Sequence, residues 1–124
     1  MKKIAVLISG SGSNLEAIAE ACRANRINGK IVCVISNNPD AYGIRRAKKF
    51  NLQSVVIDHN SFASRTEFEN KIEDSLDNYD VDLIVLAGFM RILGENITKK
   101  YFGKMINLHP SLLPNCLLYT SDAA

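Results

Sequence analysis

Ile4-Ala5-Val6-Leu7-Ile8-Ser9-Gly10-Ser11-Gly12-Ser13-Asn14-Leu15-Glu16 decides the fold class of this chain. Five consecutive apolar residues bounded by polar ones are too short a run for a buried helix and fit a strand covered on both faces. Two glycines then turn the chain. Ser13-x-x-Glu16 reads as a capping box that opens a helix, with Leu15, Ile18, Ala19 and Cys22 on one stripe and Asn28-Gly29 as its stop. Strand, glycine turn and helix are the first half of a β-α-β unit.

The alternation continues outward from this stretch. Residues 31–35 form a second apolar strand, Asn37-Asn38-Pro39-Asp40 is a turn cluster, and a short basic helix over about 41–50 leads to a third strand at 54–57. Ser64-x-x-Glu67 is a further capping box, opening a helix with Phe68, Ile72 and Leu76 on its apolar stripe. Residues 82–88 are a fourth strand, a helix spans about 95–101, and a shorter strand covers 105–108. This order predicts an α/β fold: a Rossmann-like parallel sheet with helices on both faces, joined by right-handed crossovers. Ligands of such sheets bind beyond the carboxyl ends of the strands, which selects residues 9–14, 36–40, 58–65, 88–93 and 109–114.

A length of 124 residues suits one compact domain, and 47% hydrophobic with 23% charged residues excludes disorder and collagen-like architecture. The apolar run at 4–8 is far below a spanning helix and has no cleavage-site pattern behind it, so no membrane partner and a cytoplasmic location are expected. Fifteen basic and thirteen acidic residues leave a net charge of only +2. The basic residues are scattered apart from Arg45-Arg46, Lys48-Lys49 and Lys99-Lys100, which read as solvated helix faces; nucleic acid is not an expected partner. Cys22, Cys33 and Cys116 are odd in number and widely spaced, and Cys22 and Cys33 read as small core residues. With only His59 and His109 beside them, no metal site is predicted. The expected assembly is a monomer or homodimer.

The glycine loop with Gly12, Ser13 and Asn14 can cradle a phosphate at a helix N-terminus, although such loops also serve simply as tight turns. A dinucleotide fingerprint would need glycine where Leu15 stands and an acid where Ser36-Asn37-Asn38 stands, and no Gly-Lys-Ser/Thr is present, so a monophosphate ester is favoured. Asn107 and His109 lie on one side of a strand end, and Pro110 keeps His109 extended. Such a pair can stabilise an oxyanion and move protons, or His109 can merely satisfy a loop carbonyl. Arg65 and Arg91 reach the same edge, and Phe89, Met90, Ile92 and Leu93 beside Gly88 either line a pocket for a flat heterocycle or pack in the core. Asp58 and His59 read as loop residues.

Taken together, residues 6–15, Ser36-Asn37-Asn38, Ser64-Arg65, residues 86–93 and Asn107-Leu108-His109-Pro110-Ser111-Leu112-Leu113-Pro114 resemble, in family order, the glycinamide ribonucleotide formyltransferases of purine synthesis. The last stretch is shared with other 10-formyltetrahydrofolate-dependent formyltransferases, such as the methionyl-tRNA enzyme; the glycine-rich loop favours the ribonucleotide substrate. The resemblance implies that Gly12, Ser13 and Asn14 hold the phosphate of glycinamide ribonucleotide. It further implies that Arg65, Met90, Arg91, Ile92, Leu93 and Asn107 bind 10-formyltetrahydrofolate, a co-substrate used without metal, and that Asn107 and His109 are catalytic. The alternatives are a non-catalytic module that binds a nucleoside monophosphate and another 10-formyltetrahydrofolate-dependent formyltransferase. After Pro114 the family pattern continues with a basic residue, an aromatic or proline, and glycine, then a second half with an aspartate that partners the histidine. This chain reads Asn115-Cys116-Leu117-Leu118-Tyr119 instead. Residues 1–114 are therefore expected to be the N-terminal part of a formyltransferase domain, with 115–124 a non-native tail and formyl transfer by this chain impaired.

Overall fold

The computed structural model describes residues 1–108; the expectations for His109, Pro110, Cys116 and the tail at 115–124 lie outside the described residues. Five strands, β1 (Lys2–Ile8), β2 (Gly29–Ser36), β3 (Ser54–Val56), β4 (Leu83–Ala87) and β5 (Met105–Leu108), form one parallel sheet in the order β3-β2-β1-β4-β5. The helices between them are α1 (Ser13–Arg23), α2 (Gly43–Lys49), α3 (Arg65–Asn78) and α4 (Glu95–Lys100). None of them is long and apolar enough to cross a membrane. The Rossmann-like arrangement read from the sequence is the one observed.

Alternate residues of each strand face opposite sides, so burial on both sides requires the unbroken apolar runs seen at β1, β2 and β4. Ile4, Val6, Ile8, Val34 and Val85 pack with Leu15, Ala19 and Ala47 of α1 and α2. Ala5, Leu7, Cys33, Ile35, Ile84 and Leu86 pack on the other face with Phe68, Ile72 and Leu76 of α3 and with Ile97 and Tyr101. The sheet first grows from β1 to β3 and then, through α3, from β4 to β5 on the far side of β1. A right-handed crossover that reverses direction must carry its helix to the opposite face, which accounts for the two layers. Lys100 and the hydroxyl of Tyr101 both donate to Asp77, at 2.7 and 2.9 Å, and tie the end of α4 to α3. Burial, together with that bond, pushes the Tyr101 phenol up to about 12.

Several local expectations need correcting. Ser13 does not cap α1. It is the first helical residue, and Gly12 occupies the cap position at φ +75° with no side-chain bond, because Gly12 lies against Gly43 of α2. Ser64 does cap α3, accepting from the Glu67 amide at 3.2 Å. α1 ends before Asn28-Gly29: Asn25 takes a left-handed conformation, φ 60°, and the amides of Asn25 and Arg26 return to the carbonyls of Cys22 and Ala21. Asparagine tolerates that conformation better than most side chains, so it serves where glycine is usual. The same device ends α2 at Asn51, φ 57°. Cys33 is fully buried and its thiol is pushed up to about 12 by desolvation, whereas Cys22 is only half-buried. Lys100 is paired with Glu73 and Asp77, not simply solvated.

The approach of Gly12 to Gly43 sets how closely α1 and α2 lie. A methyl group at Gly43 would collide with Ile8 Cδ1 and come within 3.1 Å of the Gly12 Cα, whereas one at Gly10 meets nothing within 4 Å. Urea unfolding of Gly43→Ala is expected to show a loss of about 1–3 kcal/mol, and that of Gly10→Ala a change below about 0.5 kcal/mol. Equal effects of the two substitutions would contradict close packing at this point.

Candidate functional site

The order of the strands reverses between β1 and β4, and the loops that leave their carboxyl ends border a cleft of about 480 Å3 lined by Ser9, Asn37, Asn38, Pro39, Asp40, Asp58, His59, Asn60 and Met90. Ser9 and Asn37 are buried at its floor. The Ser9 hydroxyl accepts from the Met90 amide at 2.8 Å and donates to Asn37 Oδ1. Asn37 Nδ2 lies 3.3 Å from His59 Nδ1. An amide NH2 can only donate, so a hydrogen bond here needs Nδ1 as the acceptor, which the tautomer with its proton on Nε2 provides. Asp58 and His59, expected to be plain loop residues, form the start of a 3-10 turn (His59–Ser61) capped by the Asp58 carboxylate. The ring of His59 packs edge-on against Phe68 at 6.1 Å. No signal in the local sequence joins His59 to Asn37; only the parallel pairing of β2 with β3 brings them together.

The glycine loop is held from outside. Gly43 N donates to Gly10 O at 2.9 Å and Arg46 Nε to Ser11 O at 2.7 Å, so two loop carbonyls are taken by α2. The amides of Ser13, Asn14 and Leu15, at the positive end of the α1 dipole, have no acceptor among the described residues. Ser13 is exposed and Asn14 half-buried, so this end of α1 is open to a ligand. Arg46 is no solvated surface cation: its guanidinium also meets Glu16 at 3.0 Å, and Lys49 reaches the same carboxylate at 3.2 Å.

Residues 88–94 leave β4 through Gly88, φ +75°. Phe89 and Leu93 turn into the core, 6% and 5% exposed, while Met90 and Ile92 stand out at 76% and 74%. The four apolar residues therefore divide between core and surface. Arg65 donates from Nη2 to the Ile92 carbonyl at 2.6 Å and from Nε to Glu69 at 2.7 Å, and the other oxygen of Glu69 accepts from Gly94 N at 2.7 Å. The amides of Arg91, Ile92 and Leu93 have no partner among the described residues. Asn107 is half-buried on β5 opposite Leu86, and its Oδ1 is buried with no hydrogen-bond partner among the described residues. An unpaired buried carbonyl costs about 1–3 kcal/mol, so Asn107 is a group that a ligand would satisfy. Gly12, Ser13, Asn14, Arg65, Met90, Arg91, Ile92, Leu93 and Asn107 thus all lie at the carboxyl edge of the sheet, while His109 falls outside the described residues. Among the described residues no group of acidic, histidine and cysteine side chains could hold a metal ion.

Known proteins share this fold and sequence. The profile of the family described as "Formyl transferase" matches residues 2–116. Phosphoribosylglycinamide formyltransferase of Haemophilus influenzae is 51% identical over 114 residues, covering 92% of this chain and 54% of that protein. The trifunctional purine biosynthetic protein adenosine-3 of Gallus gallus is 46% identical, over 91% of this chain and 11% of that one. Among solved structures, glycinamide ribonucleotide transformylase 1 from Symbiobacterium toebii superposes with a TM-score of 0.87 at 43% identity, covering 92% of this chain and 54% of that one. Phosphoribosylglycinamide formyltransferase from Coxiella burnetii gives 0.86 at 50% identity, over 91% and 53%. The chain spans about half the length of the single-function relatives it matches.

Glu16 is the ionic link between α1 and α2, and its carboxyl is held below the usual carboxylate range, chiefly by the hydrogen bond from Lys49 and also by Arg46. A depressed folded value means that this stabilisation is present above the unfolded value of about 4.3 and is lost as the pH falls through the folded one. Glu16→Gln is expected to unfold at lower urea concentration than wild type at pH 7, with the gap closing below about pH 4. A gap that persists unchanged in acid would sink the ionic account.

Proposed function

The chain belongs to the formyl transferase family, and on that premise we propose that it supplies the phosphate-binding and donor-binding half of an enzyme of purine synthesis. The reaction moves a formyl group from 10-formyltetrahydrofolate to the amine of glycinamide ribonucleotide. The observation that carries this reading is Asn107, whose buried Oδ1 has no partner among the described residues and can accept from the attacking amine, leaving Nδ2 to donate, on the strand beside the one that residues 88–94 follow. The free amides at the start of α1, with Gly12, Ser13 and Asn14, suit the monophosphate of the acceptor. Arg65 leaves Nη1 without a partner among the described residues, so it can take a carboxylate of the folate while keeping its bond to Ile92. The backbone of Met90, Arg91, Ile92 and Leu93 offers the edge of a pteridine the amides of Arg91, Ile92 and Leu93 and the carbonyls of Met90 and Arg91, the Met90 amide and the Ile92 carbonyl being taken by Ser9 and Arg65.

In the transfer the amine nitrogen attacks the formyl carbon and the carbonyl oxygen gains negative charge. The Asn107 amide and a protonated His109 would donate to that oxygen. Collapse then breaks the bond from carbon to the folate nitrogen, which takes up a proton as the amine gives one up. No step calls on a metal. Residues 1–114 are assigned to the first half of the catalytic domain and 115–124 to a non-native tail. These 124 residues span about half the length of the single-function relatives, whose remaining half would supply what else the reaction needs, so formyl transfer by the 124 residues alone is expected to be weak or absent. A cytoplasmic, monomeric or homodimeric enzyme without nucleic-acid or membrane partners fits this reading.

The test joins residues 1–114 to the remaining half of the Haemophilus influenzae relative, with the intact relative as positive control. The fusion is expected to turn over glycinamide ribonucleotide, and Asn107→Ala or His109→Ala to lower kcat on the order of 10²–10³-fold. A folded fusion without turnover, or turnover indifferent to both substitutions, overturns the assignment.

A further inference from the structure

Met90 ties the segment after β4 to the loops that follow β1, β2 and β3, and the tie is a chain of three side chains. Its amide donates to Ser9 Oγ, the Ser9 hydroxyl donates to Asn37 Oδ1, and Asn37 Nδ2 donates to His59 Nδ1. The links run from β4 across β1 and β2 to the turn after β3, and each fixes the direction of the next. His59 in its Nε2–H form can only accept at Nδ1, which turns the Asn37 amide so that its oxygen faces Ser9. With Oδ1 taking the hydroxyl hydrogen, the lone pairs of Ser9 are left for Met90 N–H. Ser9 and Asn37 are buried, and the bond between their side chains is shielded from water.

We propose that Ser9, Asn37 and His59 form a positioning relay that sets the height and orientation of the backbone at Met90, and through it the donor-binding stretch 90–93. None of the three touches the reacting atoms. The inference rests on the proposed function for the ligand that reads this stretch, but the relay itself is a property of the unliganded chain.

Two measurements separate these parts. In the 124-residue chain, ¹⁵N spectra are expected to show His59 protonated at Nε2 and the Met90 amide protected from exchange. Asn37→Leu should abolish the tautomer preference, and both it and Ser9→Ala should speed Met90 exchange by about tenfold or more, leaving α3 amides unchanged. In the fusion enzyme, Ser9→Ala is expected to raise KM for 10-formyltetrahydrofolate about tenfold, with KM for the ribonucleotide within about twofold of wild type. Ser9→Thr, which keeps the hydroxyl, should restore it; if that variant does not fold, Asn37→Leu reports the same split. An unchanged KM for the donor, or equal losses for both substrates, overturns the relay's role in binding. An inactive wild-type fusion overturns the functional reading instead, and the relay then stands or falls on Met90 exchange and the His59 tautomer.

Discussion

When a parallel sheet grows first to one side of its central strand and then to the other, the connections leaving the two central strands diverge and a gap opens at their carboxyl ends. In this chain one small side chain crosses that gap. Ser9, the first residue after β1, bonds at once to the backbone beyond β4 and to Asn37 beyond β2. A hydroxyl is suited to the position because it accepts and donates through one atom, and serine brings no further bulk into a buried place. That single oxygen ties the two loop systems together at the floor of the cleft.

The glycine loop that follows Ser9 is set by backbone approach. Gly12 and Gly43 let α2 come close enough for Gly43 N and Arg46 to take up two carbonyls of the loop after β1. With those acceptors turned to α2, the loop presents amides rather than carbonyls at the start of α1, and the end of the helix keeps its positive character. Glu16 in the first turn would partly offset that character if it stood alone. Its contacts with Arg46 and Lys49 return the local balance to positive beside the open amides.

Much of this was legible in the sequence, for a physical reason: strands buried on both faces must be apolar at every position, so the runs at β1, β2 and β4 declare themselves. Ser64 also declared its cap, since its partner is three residues away. What local reading could not find depends on pairs far apart in the chain. Ser13-x-x-Glu16 has the pattern of a capping box, yet Glu16 is drawn to Arg46 and Lys49, thirty or more residues on, and Gly12 takes the cap. Asn37 and His59 are twenty-two residues apart and meet only because β2 and β3 pair in parallel. The carboxyl edge of the sheet could be named from the alternation of elements, but its wiring could not.

That wiring matters because residues 88–94 have no ladder of their own. Ordering irregular backbone costs roughly 1–2 kcal/mol per residue, and a ligand that had to order seven residues on arrival would forfeit much of its affinity. Here the cost is met within the fold. Ser9 fixes the segment at Met90 N, Arg65 at the Ile92 carbonyl and Glu69 at Gly94 N, while Phe89 and Leu93 anchor it in the core. Between these fixed points the amides of Arg91, Ile92 and Leu93 remain without partners among the described residues. A stretch held at both ends and at the Ile92 carbonyl, with its intervening amides open, would let a ligand contribute its hydrogen bonds without having to order the chain that receives them.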